Sequence, residues 1–294
     1  MSEGPGAPAV GASPDLPVEV ADRYLDLLKR ILTRQLVIAE ETWDVGVPYQ
    51  GWEKDESLKG RVKATTRRLL ARRGLRLVHT GGDPVLREQG EDWPLTAETM
   101  VGVRRLENVQ SCIESILQDG TDGDLIETGV WRGGCSIFMR AVLEARGDEA
   151  RSVWLADSFM GLAPPDSVRY PHEFDIDLSA YGQLSVGLEI VKQNFRKYGL
   201  LDDRVRFLPG WFADTLPTAP VERLSLIRLD GDYYESTMTA LTSLYPKLSP
   251  GGFVIVDDYQ IEACRRAVAD YLASVGEAPE LQPIDRSSVF WRRD

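Results

Sequence analysis

Cysteine and histidine are scarce in this sequence, and their scarcity excludes several kinds of metal and redox chemistry. Of 294 residues, three are cysteines and two are histidines. Cys112, Cys135 and Cys264 stand far apart without a CxxC pair, which excludes a disulfide framework and a thiolate zinc site. His79 and His172 cannot build a multi-histidine metal site, and a histidine-dependent triad would have to use one of them. Any metal is therefore expected to be a hard cation held by oxygen.

Positive charge and long hydrophobic runs are also in short supply. Aspartate and glutamate number 46 against 34 lysines and arginines, which gives a net charge of −12. Such a charge repels phosphate backbones and anionic lipids. No apolar run approaches the roughly 18–20 residues of a membrane span, and the start MSEGPGAPAV lacks the charged and apolar regions of a signal peptide. We therefore expect a cytoplasmic protein that binds neither nucleic acid nor membranes.

The first third of the chain differs in pattern from the rest. Residues 1–17 are rich in glycine, alanine and proline, a composition typical of a flexible tail. Apolar residues at helical spacing predict an amphipathic helix from Val18 to about Glu40, and a basic helix is expected over Arg61–Arg73. We interpret residues 18–93 as a helical cap without strands, which would serve as a substrate lid or a dimerisation arm.

An aromatic cluster between the two predicted helices carries the lid hypothesis. Trp43, Tyr49 and Trp52 stand among turn-forming residues, where core packing is less favoured than contact with a ligand or a partner. Sugars commonly stack on such rings, and a plain subunit contact is an equally weighted alternative. We therefore expect a homo-oligomer, a dimer or higher, with this cluster at the acceptor or at the subunit contact.

From residue 94 onward, short apolar runs alternate with helical segments. This alternation predicts an α/β fold with a mostly parallel seven-stranded sheet covered by helices on both faces. Residues 94–294 would form this domain. The predicted strands are 124–127, 152–156, 205–208, 224–229, 253–256 and a closing pair at 281–284 and 288–292. The predicted helices are 96–117, 134–145, 184–198, 235–248 and 262–275.

Chemistry-bearing residues follow the predicted strands at their ends, where open parallel sheets bind ligands. Glu127 ends the first strand and a glycine turn follows it. Asp157 follows the second strand, Trp211 with Phe212 the third, Asp230 the fourth, and Asp257-Asp258 the fifth. Each feature has a structural alternative. A glycine turn can serve tight connection alone, Asp157 can cap a helix, and the aromatic pair can pack in the core.

The three aspartates are harder to explain structurally. Carboxylates gathered at neighbouring strand ends repel one another unless a cation or a proton intervenes. No basic residue of these motifs is expected to neutralise Asp230, Asp257 and Asp258. The sequence therefore predicts a divalent-cation site at this edge of the sheet, with Mg²⁺ suited to an all-oxygen ligand set.

The glycine turn limits the choice of cofactor. It is not the G-x-G-x-x-G pattern, and it offers no lysine for phosphates, so a dinucleotide or nucleoside triphosphate is poorly supported. A cofactor with a positive centre and no phosphate suits the acidic rim better. S-adenosylmethionine fits, with its ribose on Asp157, its adenine against Trp211 and Phe212, and its amino-acid end near Glu127.

Five ordered motifs resemble the macrocin O-methyltransferase family. They are 125–134 (LIETGVWRGG), 153–159 (VWLADSF), 206–212 (RFLPGWF), 229–232 (LDGD) and 251–259 (GGFVIVDDY). The resemblance runs from about Asp92 to Arg293, and the segment of about 33–82 departs from the family's usual sequence. Members of that family are S-adenosylmethionine- and magnesium-dependent enzymes with a Rossmann-like class I methyltransferase fold, which methylate sugar hydroxyls on antibiotics.

The resemblance implies roles for named residues. Asp230, Asp257 and Asp258 match the magnesium ligands, and Asp230 also matches the position of the general base. The segments that contact the cofactor match Glu127, Thr128, Gly129, Val130, Trp131, Asp157, Ser158, Phe159, Trp211 and Phe212. The acceptor would be a small glycosylated molecule, for which we predict contacts with Trp43, Tyr49, Trp52 and Tyr259.

Other functions remain open at this point. The same cofactor and metal could serve a catechol-type or amine-directed methyltransferase. A different class of function would be a non-catalytic partner that keeps the fold and binds through its N-terminal arm. Intact Asp230, Asp257 and Asp258 argue against that loss of catalysis.

Overall fold

The computed structural model describes two long stretches of the chain and several shorter ones. The described residues are 17–36, 42–43, 62, 66, 69–70, 73, 78–79, 83–92, 94–166, 168–170 and 177–294. Their strands are β1 (Thr42–Trp43), β2 (Val78–His79), β3 (Asp124–Thr128), β4 (Val153–Asp157), β5 (Val205–Pro209), β6 (Leu224–Leu229), β7 (Leu248–Val256), β8 (Gln282–Pro283) and β9 (Val289–Arg292). Their α-helices are α1 (Val18–Leu32), α2 (Pro84–Gln89), α3 (Val103–Asp119), α4 (Gly134–Ala145), α5 (Leu188–Lys197), α6 (Phe212–Thr215), α7 (Tyr234–Leu244) and α8 (Glu262–Val275).

A mostly parallel sheet of seven strands forms the centre of the molecule, which confirms the predicted fold class. The strand order is β5-β4-β3-β6-β7-β9-β8. The pairs from β5 to β7 are parallel, whereas β9 pairs antiparallel with both β7 and β8. The order reverses at β3, between β4 and β6, and such a switch point opens a crevice at the carboxyl ends of the strands.

Helices cover both faces of this sheet. Along β3, Leu125 packs with α1, α3, α4 and α5, whereas Ile126 packs on the opposite face with α7 and α8. The alternation follows from the two-residue period of side chains along a strand. Leu25, Leu28 and Leu32 of α1 belong to the first of these two cores, so this N-terminal helix is packed against the sheet domain. Within the described residues, none of the helices combines the length and apolarity of a membrane span.

Several predicted helix boundaries are wrong, and tertiary contacts give the reasons. α1 ends at Leu32 because the Thr33 hydroxyl bonds the Lys29 carbonyl at 2.8 Å and Arg34 turns left-handed, with φ 58°. α3 begins at Val103, not at 96, because the preceding segment is extended through Gly102. α7 ends at Leu244, not at 248, where Pro246 follows within a 3-10 turn.

The N-terminal region holds elements that the sequence reading did not predict. The expectation of no strands there is wrong, because Thr42 pairs with His79 and Trp43 with Val78 in a two-stranded antiparallel sheet; β-branched and aromatic residues favour that conformation. The sequence analysis also did not predict α2, which Asp83 caps by accepting a hydrogen bond from the Val85 amide at 2.8 Å. Within the predicted helix 61–73, the described residues 62, 66, 69 and 70 are helical.

Candidate functional site

A cavity of about 380 Å³ lies at the carboxyl edge of the parallel strands. Its walls come from the turns after β3, β4, β5 and β6, and from the loop 161–166. The predicted cofactor and metal residues that line it are Gly129, Val130, Trp131, Asp157, Ser158, Trp211, Phe212 and Asp230. The fold thus brings together residues from four separate strand ends, as the position of the motifs along the chain predicts.

The turn after β3 approaches the turn after β6 so closely that position 129 requires glycine. Gly129 has φ +86°, and a Cβ placed there would lie 1.7 Å from the carbonyl oxygen of Asp230. Trp131 in the same turn is also left-handed, with φ 47°, and its indole N–H donates to the Gln183 carbonyl at 2.9 Å. The turn is therefore fixed on two sides while its backbone faces the cavity.

Asp157 ties the two neighbouring turns together at the cavity wall. Its Oδ2 accepts a hydrogen bond from the Val130 amide and its Oδ1 from the Phe159 amide, both at 2.7 Å. Burial raises the pKa of this carboxyl, and the backbone hydrogen bonds oppose the rise. The amide of Trp131 and the side chain of Ser158 also hydrogen-bond this carboxylate, so Asp157 fixes the turns after β3 and β4 relative to each other.

Three predicted cofactor residues do not line the larger cavity. Thr128 is buried and its hydroxyl donates to the Arg228 carbonyl at 3.3 Å, while Phe159 is buried in the core on the α5 side. Glu127 is 1% exposed, and its Oε1 accepts a hydrogen bond from Arg228 at 2.7 Å. Burial raises the pKa of Glu127 to about 7 against the lowering effect of Arg228.

Three carboxylates meet beside the larger cavity. One oxygen of each of Asp230, Asp257 and Asp258 lies within 4.8 Å of the others, a spacing that would let all three reach one cation. Burial raises the pKa of Asp230, with Asp257 adding to the rise. Burial and then Asp232 raise the pKa of Asp258. When its three carboxyl groups are ionised, the cluster therefore carries excess negative charge that a bound cation would offset.

Two buried arginines from outside the five motifs contact this cluster and partly neutralise it. Arg228 donates to Asp230 Oδ2 at 2.8 Å and also contacts Asp257 Oδ1. Arg105 donates to Asp257 Oδ2 at 2.5 Å. The sequence did carry a signal for Arg228, because an arginine inside the apolar strand β6 must find buried acidic partners. Arg105 lies 152 residues from Asp257 and gave no local signal.

A second, smaller cavity of about 90 Å³ adjoins the carboxylates and shares part of its wall with the first. Asp230, Asp257 and Asp258 line it together with Glu127 and Asp232. Apolar residues, which the sequence reading did not single out, form other parts of its wall: Met100, Val101, Leu178, Leu184 and Ile261. The space beside the three aspartates is therefore amphipathic.

The predicted acceptor contacts are only partly covered by the described residues. Tyr259 is half-buried and packs against the core on the α7 and α8 side. Trp43 belongs to β1, of which the structure describes the backbone, and Tyr49 and Trp52 lie outside the described residues. The acceptor role of this aromatic cluster stays a prediction.

Known proteins resemble this chain in sequence, and a solved structure resembles it in fold. The macrocin O-methyltransferase (TylF) family matches residues 21–293. An 8-demethyl-8-(2,3-dimethoxy-alpha-L-rhamnosyl)-tetracenomycin-C 4'-O-methyltransferase from Streptomyces olivaceus is 50% identical over 277 residues, covering 93% of this chain and 94% of that protein. The mycinamicin III 3''-O-methyltransferase of Micromonospora griseorubida is 53% identical over 210 residues, covering 70% of this chain and 83% of that protein.

A solved structure matches as well. The O-methyltransferase NovP aligns with a TM-score of 0.77 at 41% identity, covering 93% of this chain and 99% of that chain. The family match covers nearly the whole chain. The cavity lies at the strand ends where the predicted cofactor residues stand. The chain therefore belongs to the macrocin O-methyltransferase family and is an S-adenosylmethionine-dependent O-methyltransferase.

Proposed function

We propose that this enzyme methylates a sugar hydroxyl of a glycosylated natural product, with Mg²⁺ held by Asp230, Asp257 and Asp258. The observation that carries the proposal is the meeting of three carboxylates within 4.8 Å beside the cavity that the turns after β3 and β4 line. The name of the Streptomyces olivaceus relative describes O-methylation of a tetracenomycin that carries a rhamnosyl group, and that of the Micromonospora griseorubida relative describes 3''-O-methylation of mycinamicin III. We extend that acceptor class to this chain.

The residues fit a divalent cation by their chemistry and by their charge. The donor set consists of carboxylate oxygens, which Mg²⁺ prefers. Five carboxyl groups around the smaller cavity face two guanidinium groups, Arg105 and Arg228, so negative charge remains in excess when all are ionised. Bound Mg²⁺ would supply Lewis acidity toward the acceptor oxygens and a template for their orientation.

The larger cavity would hold S-adenosylmethionine. Asp157 would accept hydrogen bonds from the ribose hydroxyls, Trp211 and Phe212 would contact the adenine, and the turn 129–131 would face the amino-acid end. Bound S-adenosylmethionine would supply a methyl group carried on a sulfonium sulfur. The thioether that remains after the transfer needs no acid to leave. Holding the two reactants in line would lower the barrier by about 7–11 kcal/mol.

The acceptor would enter the amphipathic space beside the carboxylates. The new bond joins the acceptor oxygen to the methyl carbon as the carbon–sulfur bond breaks, and S-adenosylhomocysteine leaves. The hydroxyl proton must depart during this attack, and Asp230 is the group that we assign to take it. Apolar contacts with Leu178 and Leu184 would orient the carbon face of the sugar, while its hydroxyls face the aspartates.

We also propose the domain roles that the sequence suggested. Residues 1–17 would be a tail, residues 18–93 would cap the acceptor and contribute to a homo-oligomer, and residues 94–294 would bind cofactor and metal. The cap would be anchored by α1, where Arg146 contacts Asp22 at 2.5 Å and Leu25, Leu28 and Leu32 join the core.

Mass spectrometry of reactions with candidate glycosylated acceptors tests the acceptor class. We expect a mass gain of one methyl group on the sugar; methylation of a catechol or an amine in its place would refute the proposal. Chelator treatment should abolish turnover and Mg²⁺ should restore it, whereas full activity in excess chelator would remove the metal from the mechanism. Asp258→Ala should weaken cation binding more than cofactor binding.

A further inference from the structure

We propose that Arg105 is a positioning residue for the metal ligand Asp257, and that Asp285 of the β8–β9 turn holds Arg105 in place. The inference rests on the proposed magnesium site. Neither residue belongs to the five motifs, and neither shares a strand end with the carboxylates. The structure nevertheless joins them through a chain of buried ion pairs.

Arg105 bridges two carboxylates from the first turn of α3. Its Nη1 donates to Asp257 Oδ2 at 2.5 Å and its Nε to Asp285 Oδ2 at 2.7 Å. The three side chains are 4%, 6% and 7% exposed. A guanidinium presents its donors in a rigid planar fork, so this arrangement fixes the orientation of the Asp257 carboxylate relative to α3.

Asp285 is itself held firmly. Its Oδ1 accepts hydrogen bonds from the amides of Ser287 and Ser288, at 2.8 and 2.9 Å. Burial alone would raise the pKa of Asp285, but Arg105 and these hydrogen bonds hold it below its ordinary value. The carboxylate is therefore ionised and oriented at neutral pH. Asp285 and Asp257 both form ion pairs with Arg105.

A second contact joins the same turn to the ligand loop. The Gln260 amide donates to the Ser287 carbonyl at 3.0 Å, just after Asp257 and Asp258. The β8–β9 turn thus fixes the backbone of the ligand loop through Ser287 and the side chain of one ligand through Asp285 and Arg105. This double contact points to a positioning role for the C-terminal hairpin.

Loss of the Asp285 charge should weaken the metal site in two ways. Arg105 would then lose its ion pair with Asp285 and would bind Asp257 more strongly, in competition with a cation. Its positive charge would also be less compensated near the bound cation. Changes in groups that orient metal ligands typically cost 10–100-fold in affinity. Because Asp285 acts through Arg105, we expect a loss near tenfold.

The experiment measures Mg²⁺ binding by calorimetry on the full chain with S-adenosylhomocysteine present and no acceptor. Asp285→Asn should bind Mg²⁺ about tenfold more weakly than the wild type, while its dissociation constant for S-adenosylmethionine stays within about twofold. Asp119→Asn is the matched control, since Asp119 joins the same helix to the same hairpin through Arg292 at 2.5 Å. The control should bind Mg²⁺ like the wild type.

Arg105→Lys keeps the positive charge but loses the planar guanidinium. This variant tests the positioning role of Arg105 if Asp285→Asn does not fold. It should also bind Mg²⁺ at least fivefold more weakly. Wild-type affinity in either folded variant, or an equal loss in Asp119→Asn, would overturn the positioning role while leaving the metal in place. A wild type that binds no divalent cation would instead overturn the magnesium site of the proposed function, and this inference with it.

Discussion

Replacement of Arg228 by methionine is expected to lower the stability of the enzyme by about 3–5 kcal/mol, because it leaves buried carboxylates without their cation. The Arg228 side chain is 1% exposed and contacts Glu127, Asp230 and Asp257. Methionine keeps similar length and removes only the charge and its donors. At about 2 °C per kcal/mol for a chain of this size, the melting temperature should fall by roughly 6–10 °C in metal-free buffer.

The loss should depend on pH with a definite sign. Glu127 already has a pKa of about 7 in the presence of Arg228, and removal of the guanidinium should raise it further. The native variant then retains protons that the unfolded chain releases above a pKa of about 4.3. Because Glu127 of the wild type also stays protonated up to about pH 7, this part of the variant's stability deficit is small below pH 7. It grows as the pH rises past 7 and is complete above the folded pKa of the variant.

Differential scanning calorimetry of wild type and variant at pH 5.5 and 8.5 measures this deficit. We expect a clearly larger deficit at pH 8.5. Arg223→Met is a matched control, because Arg223 stands just before the same strand and pairs with Asp122 at 3.5 Å on the surface, with side chains 61% and 78% exposed. Such pairs contribute about 0–1 kcal/mol. A deficit below about 1 kcal/mol at pH 8.5 in Arg228→Met, or one that grows toward acid pH, would refute the reasoning.

Three further experiments test the proposed roles of individual side chains. Asp157→Ala should weaken S-adenosylmethionine binding at least tenfold by calorimetry, because hydrogen bonds to a charged group contribute about 1.5–3 kcal/mol each; an unchanged dissociation constant would reduce Asp157 to a link between turns. Asp230→Asn should lower turnover at least a hundredfold, within the range for loss of a general base, and near wild-type turnover at saturating Mg²⁺ would make Asp230 a ligand only. Replacing Trp43, Tyr49 and Trp52 by alanine should raise the acceptor's Michaelis constant without affecting cofactor binding, and unchanged acceptor kinetics would contradict the lid.

The parts of the fold that the sequence predicted are those with a local cause. Apolar runs bounded by turn residues located the strands of the main sheet, because a strand buried on both faces reads as a continuous apolar segment. Parallel strands place their carboxyl ends together, so the three aspartates could be predicted to meet. The start of α2 at Asp83-Pro84 also has a local signal, since it combines a capping residue with proline in the first turn, although the sequence analysis did not predict this helix.

The features that the sequence did not predict depend on distant contacts. Arg105 meets Asp285 across 180 residues, and no local pattern marks such a pair. The start of α3 is set by Gly102, where a Cβ would lie 2.2 Å from the carbonyl oxygen of Glu88. The apolar wall of the smaller cavity, with Leu178 and Leu184, comes from a connection without regular strands, whose position follows from its anchors on Tyr233 and Trp131.

The close approach at Gly129 also bears on how such an enzyme can change its acceptor. The turn that faces the cofactor cavity and the backbone of the proposed base are in direct contact there, and Asp230 is further fixed by its amide, which donates to the Thr128 carbonyl at 2.9 Å. The spacing between the turn that would bind the methyl donor and the proposed base is thus set by main-chain atoms. Substitutions of Leu178, which lines the smaller cavity and not the larger one, should leave this spacing unchanged in a mutant library aimed at new sugars. Any residue with a Cβ at position 129 should disturb it for every acceptor at once.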